Sequence, residues 1–173
     1  MEIIRAAIRL VPDFPKQGIL FKDITPLLHD AKIGTLIVDE FASRFAGSKI
    51  DAIAGIESRG FLFGYALALK MGVPFIPIRK SGKLPWKTVG VDYALEYGTA
   101  RIEMHEDAVK PGWNVMIHDD LLATGGTASA AAQLIQKQGG TVAAFSFVVE
   151  LDFLKGRDAL SPYSEEIVSL VRD

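Results

Sequence analysis

The chain of 173 residues contains no cysteine, which excludes disulfide bonds, thiolate nucleophiles and zinc sites built on thiolates. It also has no excess of positive charge, because 19 lysines and arginines stand against 21 aspartates and glutamates. The net charge of -2 does not favour a protein that captures nucleic acid through an overall positive field. Any phosphate group must therefore be bound by a local cluster of donors. The spacing of the three histidines is not typical of metal ligands.

Long apolar runs are absent as well, since no stretch approaches the roughly 20 residues that cross a bilayer as a helix. Arg5 and Arg9 interrupt the apolar pattern of the N-terminal segment, which is unlike a secretory signal. Hydrophobic residues make up 49% of the chain and charged residues 23%, as in ordinary globular proteins. We expect a cytoplasmic protein without membrane contact, with a single domain over residues 1–173.

Apolar patterns of two different periods alternate along the chain. Helical spacing occurs in a short N-terminal segment and in residues 33–45, 61–71 and 128–138. Runs typical of β-strands cover residues 50–56, 73–78, 114–118 and 142–149. This alternation predicts an α/β fold with a mostly parallel central sheet flanked by helices.

Two segments rich in glycine and proline fit neither pattern. Residues 13–26, DFPKQGILFKDITP, combine such residues with several apolar side chains, which indicates a loop packed over neighbouring structure. With the N-terminal helix it would form a small hood over about residues 1–30. Residues 80–106 contain several glycines with β-forming residues between them, and this predicts a flexible flap or hairpin.

The segment VMIHDDLLATGGT, residues 115–127, joins a predicted strand to a predicted helix. Ligands of open parallel sheets bind beyond the carboxyl ends of the strands, where such connections lie. Gly125 and Gly126 allow backbone N–H groups to surround an anion at the positive end of the helix dipole. The hydroxyl groups of Thr124 and Thr127 would add donors. The loop lacks the P-loop lysine and the dinucleotide-binding glycine pattern, so it predicts a different kind of phosphate site.

Asp119 and Asp120 stand at the predicted end of this strand, where carboxylates would accept hydrogen bonds from sugar hydroxyls. Taken alone, TGGT is a common turn, and paired aspartates often only face solvent at a strand end. Their combination is rarer and indicates a site for ribose 5-phosphate. The whole segment resembles the phosphoribosyl diphosphate signature of type I phosphoribosyltransferases.

Four further segments resemble the adenine phosphoribosyltransferases within that family. They are VPDFPKQGILFKDITP, GIESRGFLFG, RKSGKLP with VDYALEYG, and VELDFLKGR. The resemblance implies transfer of the phosphoribosyl group of 5-phosphoribosyl 1-diphosphate to adenine, giving AMP and diphosphate with inversion at the sugar carbon. It also implies a magnesium ion that arrives with the diphosphate, and a homodimer.

The resemblance assigns three groups of binding residues. Ribose 5-phosphate is assigned to Asp119, Asp120, Ala123, Thr124, Gly125, Gly126 and Thr127. Diphosphate is assigned to Ser58, Arg59, Arg79, Lys80 and Lys83. Adenine is assigned to Leu20, Phe21 and Lys22, with Glu150 and Leu151 expected beside them. No metal-binding residues are predicted.

The same resemblance implies catalytic roles for four residues. Glu96, in the segment LEYG, would protonate or hydrogen-bond N7 of the purine as N9 attacks, which requires a pKa raised by desolvation. Arg59 would contact diphosphate oxygens through two hydrogen bonds. Asp119 and Asp120 would also stabilise positive charge that develops on the ribosyl ring. An exposed loop glutamate and a surface arginine remain the alternatives for Glu96 and Arg59.

The chain departs from the family pattern at three positions. Lys22 replaces an arginine of some members, and an adenine contact made by the backbone would survive that exchange. Glu57 is aspartate in many members, and the resemblance implies a cis peptide bond between Glu57 and Ser58. His118 stands where the signature usually has an apolar residue, and we expect it to pack against a neighbour rather than to act in the reaction.

Two alternative functions are open at this point. The first keeps the fold but takes hypoxanthine, guanine or xanthine, which need donors matched to a 6-oxo group. The second is a regulator that binds nucleic acid, which requires an added DNA-binding module or a basic face. The chain has neither feature, so we expect small-molecule substrates and no nucleic-acid partner.

Overall fold

The computed structural model describes residues 1–94 and 98–173. Its α-helices are α1 (Glu2–Ala7), α2 (Thr25–His29), α3 (Ala31–Arg44), α4 (Gly60–Met71), α5 (Gly126–Lys137) and α6 (Gly156–Leu160). Its strands are β1 (Arg9–Pro12), β2 (Leu20–Asp23), β3 (Ala52–Ile56), β4 (Phe75–Lys80), β5 (Thr88–Ala94), β6 (Thr99–His105), β7 (Asn114–Leu122), β8 (Thr141–Glu150) and β9 (Ile167–Arg172). A 3₁₀ turn, Asp152–Leu154, lies between β8 and α6.

Seven strands form the central sheet in the order β5-β6-β4-β3-β7-β8-β9, and β1 pairs with β2 in a separate antiparallel ribbon. Strands β4, β3, β7, β8 and β9 are parallel, while β6 joins β4 and β5 in antiparallel pairs. The predicted fold class is confirmed. Strands β5 and β6 form the predicted hairpin.

Helices cover both faces of the sheet, which explains the almost continuous apolar sequence of its central strands. On one face, α5 packs through Ala131, Leu134 and Ile135 against the phenylalanines of β8. On the other face, α3 and α4 bury a second cluster that includes Phe41 and Leu67. All five residues of β3 are buried between these layers.

The N-terminal part differs from the sequence-based expectation. Helix α1 ends at Ala7, and the chain continues as β1 because its backbone groups pair with β2. This strand pairing overrides the helical spacing of apolar residues, which continues in the sequence as far as Val11. In the segment predicted as a packed loop, Leu20–Asp23 forms β2; Ile24 is buried, whereas Ile19 and Leu20 are 44% and 49% exposed.

Strand β7 is longer than predicted, because its parallel pairing with β8 continues as far as Leu122 and Glu150. Asp119 and Asp120 therefore lie within the strand rather than after it. Helix α5 begins directly after the turn that follows β7, and α4 begins after the neighbouring strand β3. The two helix N-termini consequently meet at one edge of the sheet, which is where the predicted binding residues converge.

Candidate active site

The turn between β7 and α5 encloses a cavity of about 80 Å³, lined by Asp119 and residues 121–128. Gly125 adopts a left-handed conformation with φ of 82°, and α5 starts at Gly126. A Cβ atom on Gly125 would lie 2.5 Å from the backbone oxygen of Gly156, so only glycine fits there. The first N–H groups of α5 have no partner within the helix, as an anion site at a helix N-terminus requires.

Two carboxyl groups lie beside this turn. Asp119 is half-buried as a residue, yet burial of its carboxyl group raises its pKa well above the ordinary value, and the charge of Asp120 raises it further. Burial also raises the pKa of Asp120, against the opposing effect of the nearby Arg59. The Asp119 carboxylate accepts a hydrogen bond of 2.9 Å from the backbone N–H of Asp120. Because burial outweighs the partners present, a ligand with hydroxyl donors would stabilise these carboxylates.

Arg59 links this pair to the neighbouring strand connection. Its Nε lies 2.9 Å from a carboxylate oxygen of Asp120, and its guanidinium lies 5.5 Å from the ring centroid of Phe21. A Cβ atom on Gly60 would come within 3.0 Å of the Asp119 carboxylate, which shows how closely α4 approaches β7. The structure thus brings together residues that the sequence assigned to ribose, to diphosphate and to adenine.

Glu57 binds basic residues at the end of β4 and in the turn that follows it. Its side chain is 6% exposed and accepts hydrogen bonds from Arg79 at 3.0 Å, from the backbone N–H of Lys80 at 2.9 Å and from Lys83 at 2.8 Å. Burial alone raises the pKa of Glu57, but the bonds from these three residues outweigh it and hold the pKa below its usual value. Two cations predicted for the diphosphate are therefore paired with a carboxylate.

The hood forms the remaining wall. A cavity of about 490 Å³ separates β2 from the segment after β8, and Leu20, Lys22 and Leu151 are among its lining residues. The Lys22 ammonium group binds the Asp173 carboxylate at 2.6 Å, so its charge is already paired. Phe21 points to the opposite side of β2, towards Arg59.

Known proteins resemble this chain over its length. Residues 27–164 match the phosphoribosyl transferase domain family. An adenine phosphoribosyltransferase of Cytophaga hutchinsonii is 54% identical over 98% of this chain and 94% of its own length. The chain belongs to the adenine phosphoribosyltransferase family.

Solved structures of the family agree with this assignment. The adenine phosphoribosyltransferase of Thermoanaerobacter pseudethanolicus superposes with a TM-score of 0.96 at 51% identity, and the match covers 99% of both chains. The enzyme of Saccharomyces cerevisiae, in complex with an imino-altritol bisphosphate and adenine, gives a TM-score of 0.91 at 41% identity over 98% of this chain and 97% of its own. The type I phosphoribosyltransferase fold predicted from the sequence is confirmed.

Glu96, which the family resemblance makes the acid at the base, lies in residues 95–97, outside the described residues. Its role stays a prediction. Ala94, at the end of β5, has its backbone oxygen 3.9 Å from a Cβ atom built on Gly126. The described part of the flap hairpin thus reaches the turn between β7 and α5. Residues 123–127 of this turn form the predicted phosphate loop. The cis peptide bond between Glu57 and Ser58 that the resemblance implied is present.

His118 is fully buried in β7 and packs edge-on against Phe41, as expected for a residue without a chemical role. Its Nδ1 lies 2.9 Å from the Ser146 hydroxyl. Burial lowers its pKa to about 3, so the imidazole is neutral at physiological pH. The Glu150 carboxylate binds Arg157 through two hydrogen bonds, and its place beside the base stays a prediction.

One residue of the site escaped sequence reasoning. Glu103, in β6, is buried and accepts hydrogen bonds from Ser81 at 2.7 Å and from the backbone N–H of Gly82 at 3.2 Å. It thereby holds the turn that presents Lys83. Arg101, two residues before it, also donates a hydrogen bond of 3.1 Å, but Ser81 and Gly82 lie 22 and 21 residues away, and no local sequence pattern indicates that they meet Glu103.

Among the described residues, no group of three or more acidic or histidine side chains could hold a metal ion. In the same part of the chain, no helix has the length and apolar character needed to span a membrane.

Proposed function

We propose that this chain transfers the phosphoribosyl group of 5-phosphoribosyl 1-diphosphate to N9 of adenine, giving AMP and diphosphate. The observation that carries the proposal is the contact of Arg59 with both Asp120 and Phe21. This contact supports the proposal, because a cation suited to diphosphate lies between carboxylates suited to ribose hydroxyls and an aromatic ring of the hood. The family of the chain supports the same reaction.

The ribose 5-phosphate end uses backbone and carboxylate groups. Residues Ala123, Thr124, Gly125, Gly126 and Thr127 bind the 5-phosphate with N–H and hydroxyl donors at the start of α5. Asp119 and Asp120 accept hydrogen bonds from the ribose hydroxyls. Their negative charge also stabilises the positive charge that develops on the sugar ring when the diphosphate leaves.

The diphosphate end uses Ser58, Arg59, Arg79, Lys80 and Lys83. Arg79 and Lys83 exchange the Glu57 carboxylate for diphosphate oxygens when the substrate binds, because both partners are anions that accept the same donors. Magnesium would arrive bound to the diphosphate, because it prefers oxygen ligands and usually keeps several of its waters.

The adenine end relies on the backbone of β2. Pro12 lies opposite Leu20 in the β1–β2 ribbon, and proline suits positions whose backbone groups point away from the partner strand. By alternation, Leu20 and Lys22 turn their N–H and C=O groups to the free edge of β2. These groups can recognise the amino group and a ring nitrogen of adenine, and Phe21 supplies an aromatic surface. Glu96 acts on N7 from the flap.

We also propose that residues 1–173 form one functional unit, with a hood over about residues 1–30 and a flap over about residues 80–106. The unit acts in the cytoplasm as a homodimer. Leu62, Tyr65 and Leu69 are 45%, 55% and 65% exposed on one side of α4, which supports an interface between two copies there. Sedimentation of the purified protein tests it, and a monomer at micromolar concentration contradicts it.

A substrate panel tests the reaction. We expect AMP formation from adenine to exceed the formation of IMP from hypoxanthine and of GMP from guanine. Faster formation of IMP or GMP contradicts the proposal. Glu96→Gln and Arg59→Ala test the assigned roles, and unchanged turnover in both removes them. Lys32→Ala, an exposed position in α3 away from the site, is the control.

A further inference from the structure

The segment VELDFLKGR, at the end of β8, lies directly behind the phosphate loop. Its Gly156 begins α6 and touches that loop backbone to backbone. A Cβ atom on Gly156 would lie 2.3 Å from the backbone oxygen of Ala123 and 2.8 Å from the Leu122 side chain. The backbone oxygen of Gly156 in turn lies 2.5 Å from a Cβ atom built on Gly125. Neither segment can shift without moving the other.

Arg157, the next residue, fixes α6 to the sheet. Its Nε and Nη2 bind the two oxygens of the Glu150 carboxylate at 2.7 and 2.8 Å, and its Nη1 binds the backbone oxygen of Ile167 at 3.0 Å. Glu150 is 2% exposed and lies at the end of β8, so the anchor is rigid. A bidentate pair of this kind defines orientation as well as distance.

A second connection joins the far side of α6 to the helix that carries the phosphate loop. Tyr163 receives hydrogen bonds from Ser129 at 3.2 Å and from Gln133 at 3.3 Å, both residues of α5. Lys155, before α6, has a φ of 52°, which is uncommon for lysine and requires support from its surroundings. The contacts around α6 therefore determine the position of the whole turn between β7 and α5.

We propose that Arg157 is a positioning residue for the 5-phosphate, acting through Gly156 on the backbone of Ala123–Gly125. The inference deepens the proposed function and rests on it for the identity of the ligand. The side chain of Arg157 binds Glu150 and the backbone of Ile167, so we assign it no direct contact with substrate. It holds the N–H groups of the loop where the phosphate oxygens bind, and a displacement of about 1 Å costs up to about 100-fold in such sites.

The experiment measures ribose 5-phosphate binding to the full chain by calorimetry, together with the KM values for both substrates. Arg157→Met should weaken ribose 5-phosphate about 10- to 100-fold and raise the KM for phosphoribosyl diphosphate to a similar extent. The KM for adenine should stay within about twofold. Arg157→Lys, which keeps the charge but not the planar fork, should fall between these values. Gly156→Ala should reproduce the loss without changing any charge.

Two controls separate positioning from folding. Arg172→Met removes the other cation near Glu150, which lies 3.6 Å away in β9, and should leave ribose 5-phosphate binding unchanged. Glu150→Gln/Arg157→Met removes the carboxylate that Arg157→Met leaves unpaired, so it should regain thermal stability but not affinity. If Arg157→Met does not fold, ribose 5-phosphate binding by the double variant tests the proposal instead.

The outcomes separate the two proposals. A wild-type protein that binds ribose 5-phosphate, with Arg157 variants that bind it equally well, overturns the inference alone. Equal losses for ribose 5-phosphate and adenine also overturn it, because they indicate general damage. A wild-type protein that binds no ribose 5-phosphate overturns both the inference and the proposed function.

Discussion

The two ends of the site contain carboxylates that respond to their surroundings in opposite ways. At the ribose end, burial raises the pKa of Asp119 and of Asp120, and too few partners oppose it. At the diphosphate end, burial acts on Glu57 in the same direction, but hydrogen bonds from Lys83, Lys80 and Arg79 outweigh it and lower the pKa.

The difference lies in how far partners offset burial. For Asp119 and Asp120 the partners offset only part of the effect of burial on the pKa, whereas for Glu57 they more than offset it. On the proposed function, ribose hydroxyl groups add donors to Asp119 and Asp120, so the free-energy cost of burying these carboxylates falls when substrate binds. On the same proposal, Arg79 and Lys83 must leave Glu57 before they bind diphosphate. Substitutions at the two ends should therefore change stability with opposite signs.

The largest effect is expected for Asp119→Asn. AMP formation should fall about 100-fold or more because a charge that stabilises the ribosyl cation is lost. The free energy of unfolding at pH 8 should rise by about 1 kcal/mol, as at other sites where function opposes stability. The folded-state pKa is raised, so the wild-type protein loses stability as pH rises above 3.8, the ordinary value, and the variant does not.

Urea unfolding from pH 5 to 8 measures this difference between Asp119→Asn and wild type. Asp107→Asn, at an exposed position, is the matched control and should change neither stability nor turnover. If Asp119→Asn is less stable than the wild type at pH 8, the surroundings of Asp119 already stabilise its carboxylate, and the predicted sign is wrong.

A second comparison tests the close contact behind the phosphate loop. Gly125 and Gly112 have φ values of 82° and 81°, but only Gly125 has neighbours within 4 Å of a built Cβ atom. Gly112→Ala should cost about 1 kcal/mol from backbone strain. Gly125→Ala should cost about 2 to 3 kcal/mol, since the contact with Gly156 adds to that strain. If the two variants lose the same free energy of unfolding in urea, the contact between Gly125 and Gly156 is refuted. Only Gly125→Ala should lose ribose 5-phosphate binding.

His118 offers a test of burial on the same strand with a group of the opposite charge. Burial lowers its pKa to about 3 in the folded protein from the ordinary value of 6.5, so only the unfolded chain takes up a proton between these values. Stability falls as pH drops below 6.5, by about 2 kcal/mol at pH 5. His118→Val should lack this fall.

Thermal unfolding at pH 7 and pH 5 measures the effect of His118→Val. The exposed His29→Gln variant should keep the pH dependence of the wild type. If His118→Val loses as much stability between pH 7 and pH 5 as the wild type does, other titrating groups cause the loss.

The smallest effect is expected at the diphosphate end. Glu57→Gln should lower the free energy of unfolding at pH 7 by about 1 kcal/mol, because Arg79 and Lys83 lose a charged partner. The folded-state pKa is lowered, so this contribution exists above 4.5 and disappears as pH falls below it. Urea unfolding at pH 7 and pH 3 checks the sign.

Glu106→Gln is the control for Glu57→Gln, since Glu106 is 43% exposed and its pair with Lys87 spans 3.8 Å. Exposed pairs of this kind contribute little, and no measurable change is expected. A Glu57→Gln variant more stable than wild type at pH 7 contradicts the contrast between the two ends.

Most of the fold, and the proximity of the two aspartates to the glycine turn, could be predicted from the sequence. Strand, Asp119, Asp120 and Gly125 follow one another within a few residues, so their proximity comes from local geometry. The boundaries of β7 could not be predicted, because they depend on pairing with β8. The β1–β2 ribbon was missed for the same reason.

The pairing of charges could not be predicted either. Glu57 with Lys83, Glu103 with Ser81, and Lys22 with Asp173 join residues 22 to 151 positions apart. Each partner alone looks like an ordinary polar residue of a loop or strand. Nothing in the local pattern indicates which carboxylate will meet which cation once the sheet has formed.

The sequence by itself determined the α/β architecture, the glycine turn before α5 and the family, because each depends on the spacing of residues along the chain. The tertiary structure decided which carboxylates are left short of partners and which hold cations. It also decided that α6 backs the phosphate loop through Gly156 and Arg157. The physical reason is that burial and ion pairing depend on neighbours across the sheet, and those neighbours are brought together only by folding.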